Sequence, residues 1–132
     1  MASKTAATIA AQLVDAIGYA HSQRVIHCDI SPHNVIVFQD NEVKLTDFGI
    51  AKVTARTKII DGSGSGTVGY IAPEQAMGQP SFRSDVFSLG LLIYRMLSGQ
   101  LPRWPFAWPP TGYDRVKRKL RPGAVKYLRR AI

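Results

Sequence analysis

The run His27-Cys28-Asp29-Ile30-Ser31-Pro32-His33-Asn34 sets a carboxylate and a carboxamide five positions apart, and thirteen positions further on Asp47 opens Asp47-Phe48-Gly49. A carboxylate can accept a proton from a hydroxyl, and Asp and Asn oxygens are hard donors of the kind Mg²⁺ takes. Gly49 frees the backbone to turn directly after Asp47. Singly, these residues have plainer uses. An isolated Asp29 or Asp47 serves as a turn residue, and Asp85 as an N-cap of the helix after it. Gly64-Ser65-Gly66-Thr67-Val68-Gly69 fits G-x-G-x-x-G behind a β-prone stretch at 57–60, but Ala72-Pro73 follows where a dinucleotide fingerprint needs its helix.

Positioning these groups falls to a few elements. Residues 4–22 predict a helix, with Ile9, Leu13, Ile17 and Ala20 or His21 recurring at three and four in an Ala-rich stretch that Gly18 weakens slightly. Val25-Ile26 leads into the 27–34 loop. Val35 to Phe38 is a β-branched strand, 39–42 a turn, and Val43 to Thr46 a second strand, so a hairpin spans Asn34 and Asp47 and fixes them on neighbouring strand ends. From Asp47 to about Gln79 a Gly/Ser/Thr-rich stretch without periodicity predicts a long loop, a feature usually tied to function. Residues 84–98 predict a buried helix. Four prolines between 102 and 110, interleaved with Trp104, Phe106 and Trp108, predict an extended, packed connection in which both tryptophans pack. Val116 and Leu120, then Val125, Leu128 and Ile132, predict two short helices parted by Pro122 and Gly123.

Ala72-Pro73-Glu74 comes after Gly66-Thr67-Val68-Gly69-Tyr70, and Ser84-Asp85-Val86-Phe87-Ser88-Leu89-Gly90 comes after that. With the H-x-D-x-x-x-x-N run, which by itself also occurs in other phosphotransferases, and Asp47-Phe48-Gly49, the ordered series resembles the signature set of eukaryotic-type serine/threonine protein kinases from residue 4 to about 131. The resemblance implies an α+β, mostly helical fold: a protein-kinase-like carboxy-terminal lobe with a small β-hairpin. Residues 1–132 are then a partial kinase domain with its activation segment at 47–74. Asp29 becomes the catalytic aspartate, with Asn34 and Asp47 catalytic as Mg²⁺ ligands. Ile36, Thr46 and Asp47 become ATP-binding, with Ile36 flooring the adenine and Leu92 and Met96 supporting that floor. Phe48, Gly49, Thr67, Ala72, Pro73 and Glu74 fall in the activation segment. His27 becomes a packed residue fixing the backbone, and Asp85 an anchor of the catalytic loop, a role compatible with capping. His21 reads as structural. The implied cofactors are ATP and Mg²⁺ and the implied partner is a protein substrate, with Thr67 and Tyr70 favouring serine/threonine specificity.

The sequence departs from that pattern in places. Cys28 stands where many such kinases have an arginine that pairs with a phosphorylated activation loop, and a thiol supplies no such charge. Ser31 replaces a lysine that contacts the transferred phosphate, offering a hydroxyl in its place. No glycine-rich phosphate loop, strand lysine or partner glutamate precedes residue 4, and the arginine that pairs with Glu74 does not follow. The amino-terminal lobe is thus expected as a missing partner, and the chain as a fragment. A catalytically incompetent kinase-like binding module is the alternative, and a small-molecule phosphotransferase a further one, opposed by Ala72-Pro73-Glu74 and the Asp85 helix.

The formal net charge of +8 is localised. Residues 1–113 hold nine Lys/Arg against eight Asp/Glu, whereas 114–132 hold eight Lys/Arg and only Asp114. Helix-face spacing makes the excess a solvated surface, and apart from Tyr127 no aromatic interleaves it, so no nucleic-acid partner is expected. Val86 to Leu97 is too short to span a bilayer, and no membrane segment is expected. One cysteine excludes an internal disulfide and suits a reducing cytoplasm.

Overall fold

The computed structural model describes residues 1–47, the backbone of 52–53, and 69–132. The β-prone stretch at 57–60, the glycine run up to Val68, and Phe48, Gly49 and Thr67 lie outside the described residues. The elements in order are α1 (Ser3–Ser22), β1 (Val25–Ile26), a 3₁₀ turn (Pro32–Asn34), β2 (Val35–Val37), β3 (Val43–Leu45), β4 (Lys52–Val53), α2 (Pro73–Ala76), α3 (Phe82–Ser98), α4 (Tyr113–Lys119) and α5 (Pro122–Ala131). The fold is mostly helical with a small antiparallel hairpin, as the sequence predicts.

The 3.6-residue repeat of α1 buries Ala6, Ile9, Leu13, Ile17 and Ala20. That stripe meets α3, which is apolar on most sides, so α3 forms the centre of the molecule. β2 and β3 pair antiparallel in the register Val35↔Leu45, Ile36↔Lys44 and Val37↔Val43. Gln12, which interrupts the apolar pattern of α1, clamps this hairpin: its Nε2 donates to Asn41 O at 2.7 Å and its Oε1 accepts from Val43 N at 2.9 Å. A second pairing, β1 with β4, joins Val25 to Val53 and Ile26 to Lys52. Two-residue strands carry no periodicity, so the sequence holds no signal for it.

Four expectations need correction. The 47–79 stretch contains α2, whose start is set by Pro73 at the first helical position behind an extended Ala72; four residues are too few to show a helical repeat. α3 begins at Phe82, and Ser81 rather than Asp85 precedes it. Ser84 Oγ accepts Ser81 N–H at 2.9 Å and donates to Glu74 Oε1 at 2.8 Å, so Asp85 is left inside the first turns and free for other bonds. The break between the last helices falls at Leu120–Arg121, both extended, and Pro122 and Gly123 belong to α5; the residue before a proline is driven out of the helical region. Trp104 is 75% exposed, although its ring meets Phe106 edge-on.

α3 stops at Gly99, left-handed at φ 75°, whose N–H bonds Arg95 O at 2.8 Å. α4 and α5 pack on its second half through Val116 and Leu128, against Tyr94, Leu97 and Ala6. Gly90 permits the approach of α5, since a Cβ there would sit 2.9 Å from Ala131 Cβ.

Candidate active site

The 27–34 loop hangs from one buried carboxylate. Asp85 is 1% exposed, and its oxygens accept His27 N at 2.8 Å and Cys28 N at 3.0 Å. His21 Nε2 from α1 meets the same carboxylate at 2.8 Å, and its ring lies tilted against Phe82. Cys28 holds φ 72°, a left-handed geometry that costs a non-glycine residue about 1 kcal/mol or more. Its N–H is held by Asp85, and its carbonyl accepts from Gln75 Nε2 of α2. Three elements therefore fix the backbone one residue before Asp29.

His27 is fully buried and both ring nitrogens are engaged. Asp29 N–H donates to Nδ1 at 3.0 Å, which requires a lone pair there, so Nε2 carries the proton and donates to Thr46 O at 2.8 Å. That tautomer joins Asp29 to the residue preceding Asp47. From the other direction, Asn34 Nδ2 donates to Asp29 O at 2.8 Å and to Asp29 Oδ2 at 2.9 Å. Asn34 O accepts Thr46 N at 2.7 Å and Thr46 Oγ1 at 3.2 Å. Asp29, Asn34, Thr46 and, by chain continuity, Asp47 thus form one bonded unit. Asp47 is exposed and left-handed at φ 62°, a region Asp tolerates better than most residues.

Both amide protons of Asn34 go to Asp29, so its Oδ1 is the atom left to ligate a cation. Among the described residues no group of three or more His, Cys, Asp or Glu side chains could hold a metal. One amide oxygen and one carboxylate do not make an all-protein cage. They fit Mg²⁺ arriving with phosphate oxygens and water, since this ion keeps most ligands outside the protein.

Ile36 is 46% exposed. Val35 and Val37 line a shallow apolar cavity of about 430 Å³ with Leu92 and Met96, and strand alternation turns Ile36 to the opposite face. Leu92 and Met96 therefore reach Ile36 through its strand neighbours. Val35 and Val37 went unremarked in the sequence, where the two-residue period of the hairpin was the available signal. Gln75 was missed as well; nothing in its spacing distinguishes it, because its partner is a backbone carbonyl. Ser31, which stands where the resemblance expects a lysine, is fully buried. Ala72 is buried and Glu74 half-buried, bonded to Ser84.

Comparison with known proteins adds the following. The family described as Protein kinase domain matches residues 1–108. Serine/threonine-protein kinase PrkC of Bacillus subtilis is 40% identical over 101 residues, covering 75% of this chain and 16% of that protein. Serine/threonine-protein kinase PknB of Mycolicibacterium smegmatis is 38% identical over 106 residues, 77% of this chain and 17% of its own length. Serine/threonine-protein kinase TIO of Arabidopsis thaliana is 42% identical over 95 residues, 71% of this chain and 7% of its own. The chain thus spans less than a fifth of the length of each of these relatives.

Proposed function

The chain belongs to the protein kinase domain family, and from that premise we propose that it is the catalytic lobe of a serine/threonine kinase, with residues 47–74 as its activation segment. One observation carries the reading: Asn34 Nδ2 donates to Asp29 O and Asp29 Oδ2 while the Asn34 main-chain carbonyl accepts from Thr46, beside Asp47. A proton acceptor and two hard oxygen donors are thereby set in one rigid frame. Transfer of a phosphoryl group through a loose transition state asks mainly for positioning and charge neutralisation.

In the reaction the substrate serine or threonine oxygen bonds to the γ-phosphorus of ATP, the bond from that phosphorus to the β,γ-bridging oxygen breaks, and ADP leaves. Asp29 orients the hydroxyl and takes its proton. Its own position is set by His27 Nδ1 on its N–H and by Asn34 on its side chain. Asn34 Oδ1 and Asp47 would hold Mg²⁺, which when bound neutralises charge on the phosphates. Ile36, on the strand face turned away from α3, would lie under the adenine, with Thr46 beside it. The phosphates need a clamping lobe from outside residues 1–132. Among the described residues no helix is long and apolar enough to cross a membrane, and a single cysteine in the sequence suits a reducing cytoplasm.

Fusion to the amino-terminal lobe of a related kinase tests the reading. The fusion is expected to move the γ-phosphate of ATP to a serine peptide, the chain alone to move none, and Asp29→Asn in the fusion to lose at least about a hundredfold in kcat. Equal rates for the fusion and its Asp29→Asn variant would refute it.

A further inference from the structure

Beyond Gly99 the chain folds over a cavity of about 670 Å³, whose wall includes Arg95, Gln100, Leu101, Arg103 and Thr111. Among the described residues two arginines and no acidic residue line it. Among the described residues neither arginine has an acidic partner within ion-pair distance, the ion pairs there being His21–Asp85 and Lys117–Asp114. Two cations of the basic tail also lack an acidic partner there, but they are taken up by main-chain carbonyls. Arg115 Nη1 donates to Ser98 O at 3.0 Å and Lys119 Nζ to Leu97 O at 2.8 Å, so those cations cover the carboxyl end of α3.

The cavity is tied to the candidate active site on two sides. Arg95 also lines the apolar cavity that includes Pro32 of the 27–34 loop. Its Nη1 donates to Tyr70 Oη at 2.7 Å. Leu101 lies against Gly69, where an added Cβ would come within 3.2 Å of Leu101 Cδ2. Gly69 and Tyr70 lead directly into Ala72-Pro73-Glu74 and Gln75, the residue that holds the Cys28 carbonyl beside Asp29. The cavity wall is therefore bonded to, and packed on, the stretch that leads along the chain to Gln75.

Guanidinium groups grip carboxylates through two parallel N–H donors, and a concave wall focuses their field. The volume lies within the range that binds extended ligands and greatly exceeds that of one small ion. We propose that this cavity is a substrate subsite that takes an Asp or Glu side chain flanking the acceptor serine or threonine, with Arg95 and Arg103 as its specificity-determining residues. That the ligand is a phosphoacceptor peptide rests on the kinase reading; that the cavity binds acidic peptide does not.

The test is fluorescence anisotropy of the chain with a labelled serine peptide flanked by Asp, and with its Asn counterpart, at 0.15 M salt as an approximate working level. The Asp peptide is expected to bind more tightly, and Arg103→Gln to weaken it about three- to tenfold, the scale of one partly exposed charge-assisted contact. Arg118→Gln, which removes the same charge from the exposed face of α4, is expected to weaken it less than about twofold. Arg103→Glu is expected to prefer the Lys-flanked peptide, a gain that an unfolded variant does not produce. Equal binding of the Asp and Asn peptides, or equal losses for Arg103→Gln and Arg118→Gln, would overturn the subsite. So would a phosphoserine-flanked peptide that binds where the Asp peptide does not. In the lobe fusion, phosphate transfer with no acidic preference removes the subsite and keeps the kinase reading. Arg103-dependent acidic binding with no transfer does the reverse.

Discussion

Both halves of α3 are packed in apolar clusters, but they differ in the polar groups they bury. Its first half buries Ser84, Asp85 and Ser88, which bond respectively to Glu74, to the His27 and Cys28 amides, and to Tyr70 O. Its second half buries Tyr94 and Leu97 against Val116, Leu128 and Ala6, and closes with cations on its last carbonyls. Buried polar bonds add little net stability but are costly to leave unmade, so they select one backbone arrangement. Apolar burial contributes free energy without demanding a particular geometry. The first half therefore adds position-fixing polar bonds to the apolar packing of Phe87 and Leu89, and the second half adds mainly apolar contacts with the basic tail.

The contrast breaks most visibly at Asp85. Asp85→Ala leaves two buried N–H groups orphaned next to a left-handed Cys28, and a loss of about 4 kcal/mol is expected in urea unfolding. Hydrogen exchange at His27 and Cys28 should rise beyond what the global loss explains. Leu128→Ala at the opposite end should cost about 2–3 kcal/mol as a core truncation, while exchange at His27 and Cys28 tracks global stability alone. If both variants loosen the 27–34 loop alike, the division of labour is wrong.

Alkali probes the second half on its own. Tyr94 has its pKa pushed up to about 12 by burial, with the neighbouring Tyr113 adding to it, and its hydroxyl donates to Pro110 O and Thr111 O. A folded pKa above the unfolded value of 10 means that this contribution is complete below pH 10 and is lost as pH rises from 10 towards 12. Unfolding followed across that window should show a falling midpoint, flattened in Tyr94→Phe. The smallest effects belong to Arg115→Ala and Lys119→Ala, each about 0.5 kcal/mol at low salt and fading as salt is added.

The same division governs what could be read from the sequence. α1, the hairpin and α3 were legible because apolar periodicity is local, as the burial of Ile9, Leu13 and Ile17 and the pairing of Val35 with Leu45 illustrate. Asp29, Asn34 and Asp47 stood out by their ordered spacing. The bonds that hold them were not legible. Asp85 reaches His27 across 58 positions and Gln75 reaches Cys28 across 47, and each ends on a main-chain group that every residue possesses. The cavity with Arg95 and Arg103 was hidden for a related reason: charge counts along the chain pointed to 114–132, while the arginines at 95 and 103, without an acidic partner among the described residues, come from a region of nearly balanced charge.

Broadening of backbone amide resonances by Mn²⁺ in the presence of ATP tests the central claim most directly, since it registers even weak binding and depends steeply on distance from the ion. The account predicts that Asn34, Thr46 and Asp47 lose intensity first, and that Asn34→Ala abolishes the effect at Thr46 and Asp47. Broadening centred on exposed carboxylates such as Asp15 or Asp114, or left unchanged by Asn34→Ala, would contradict the assignment of a cation site to the bonded unit around Asp29.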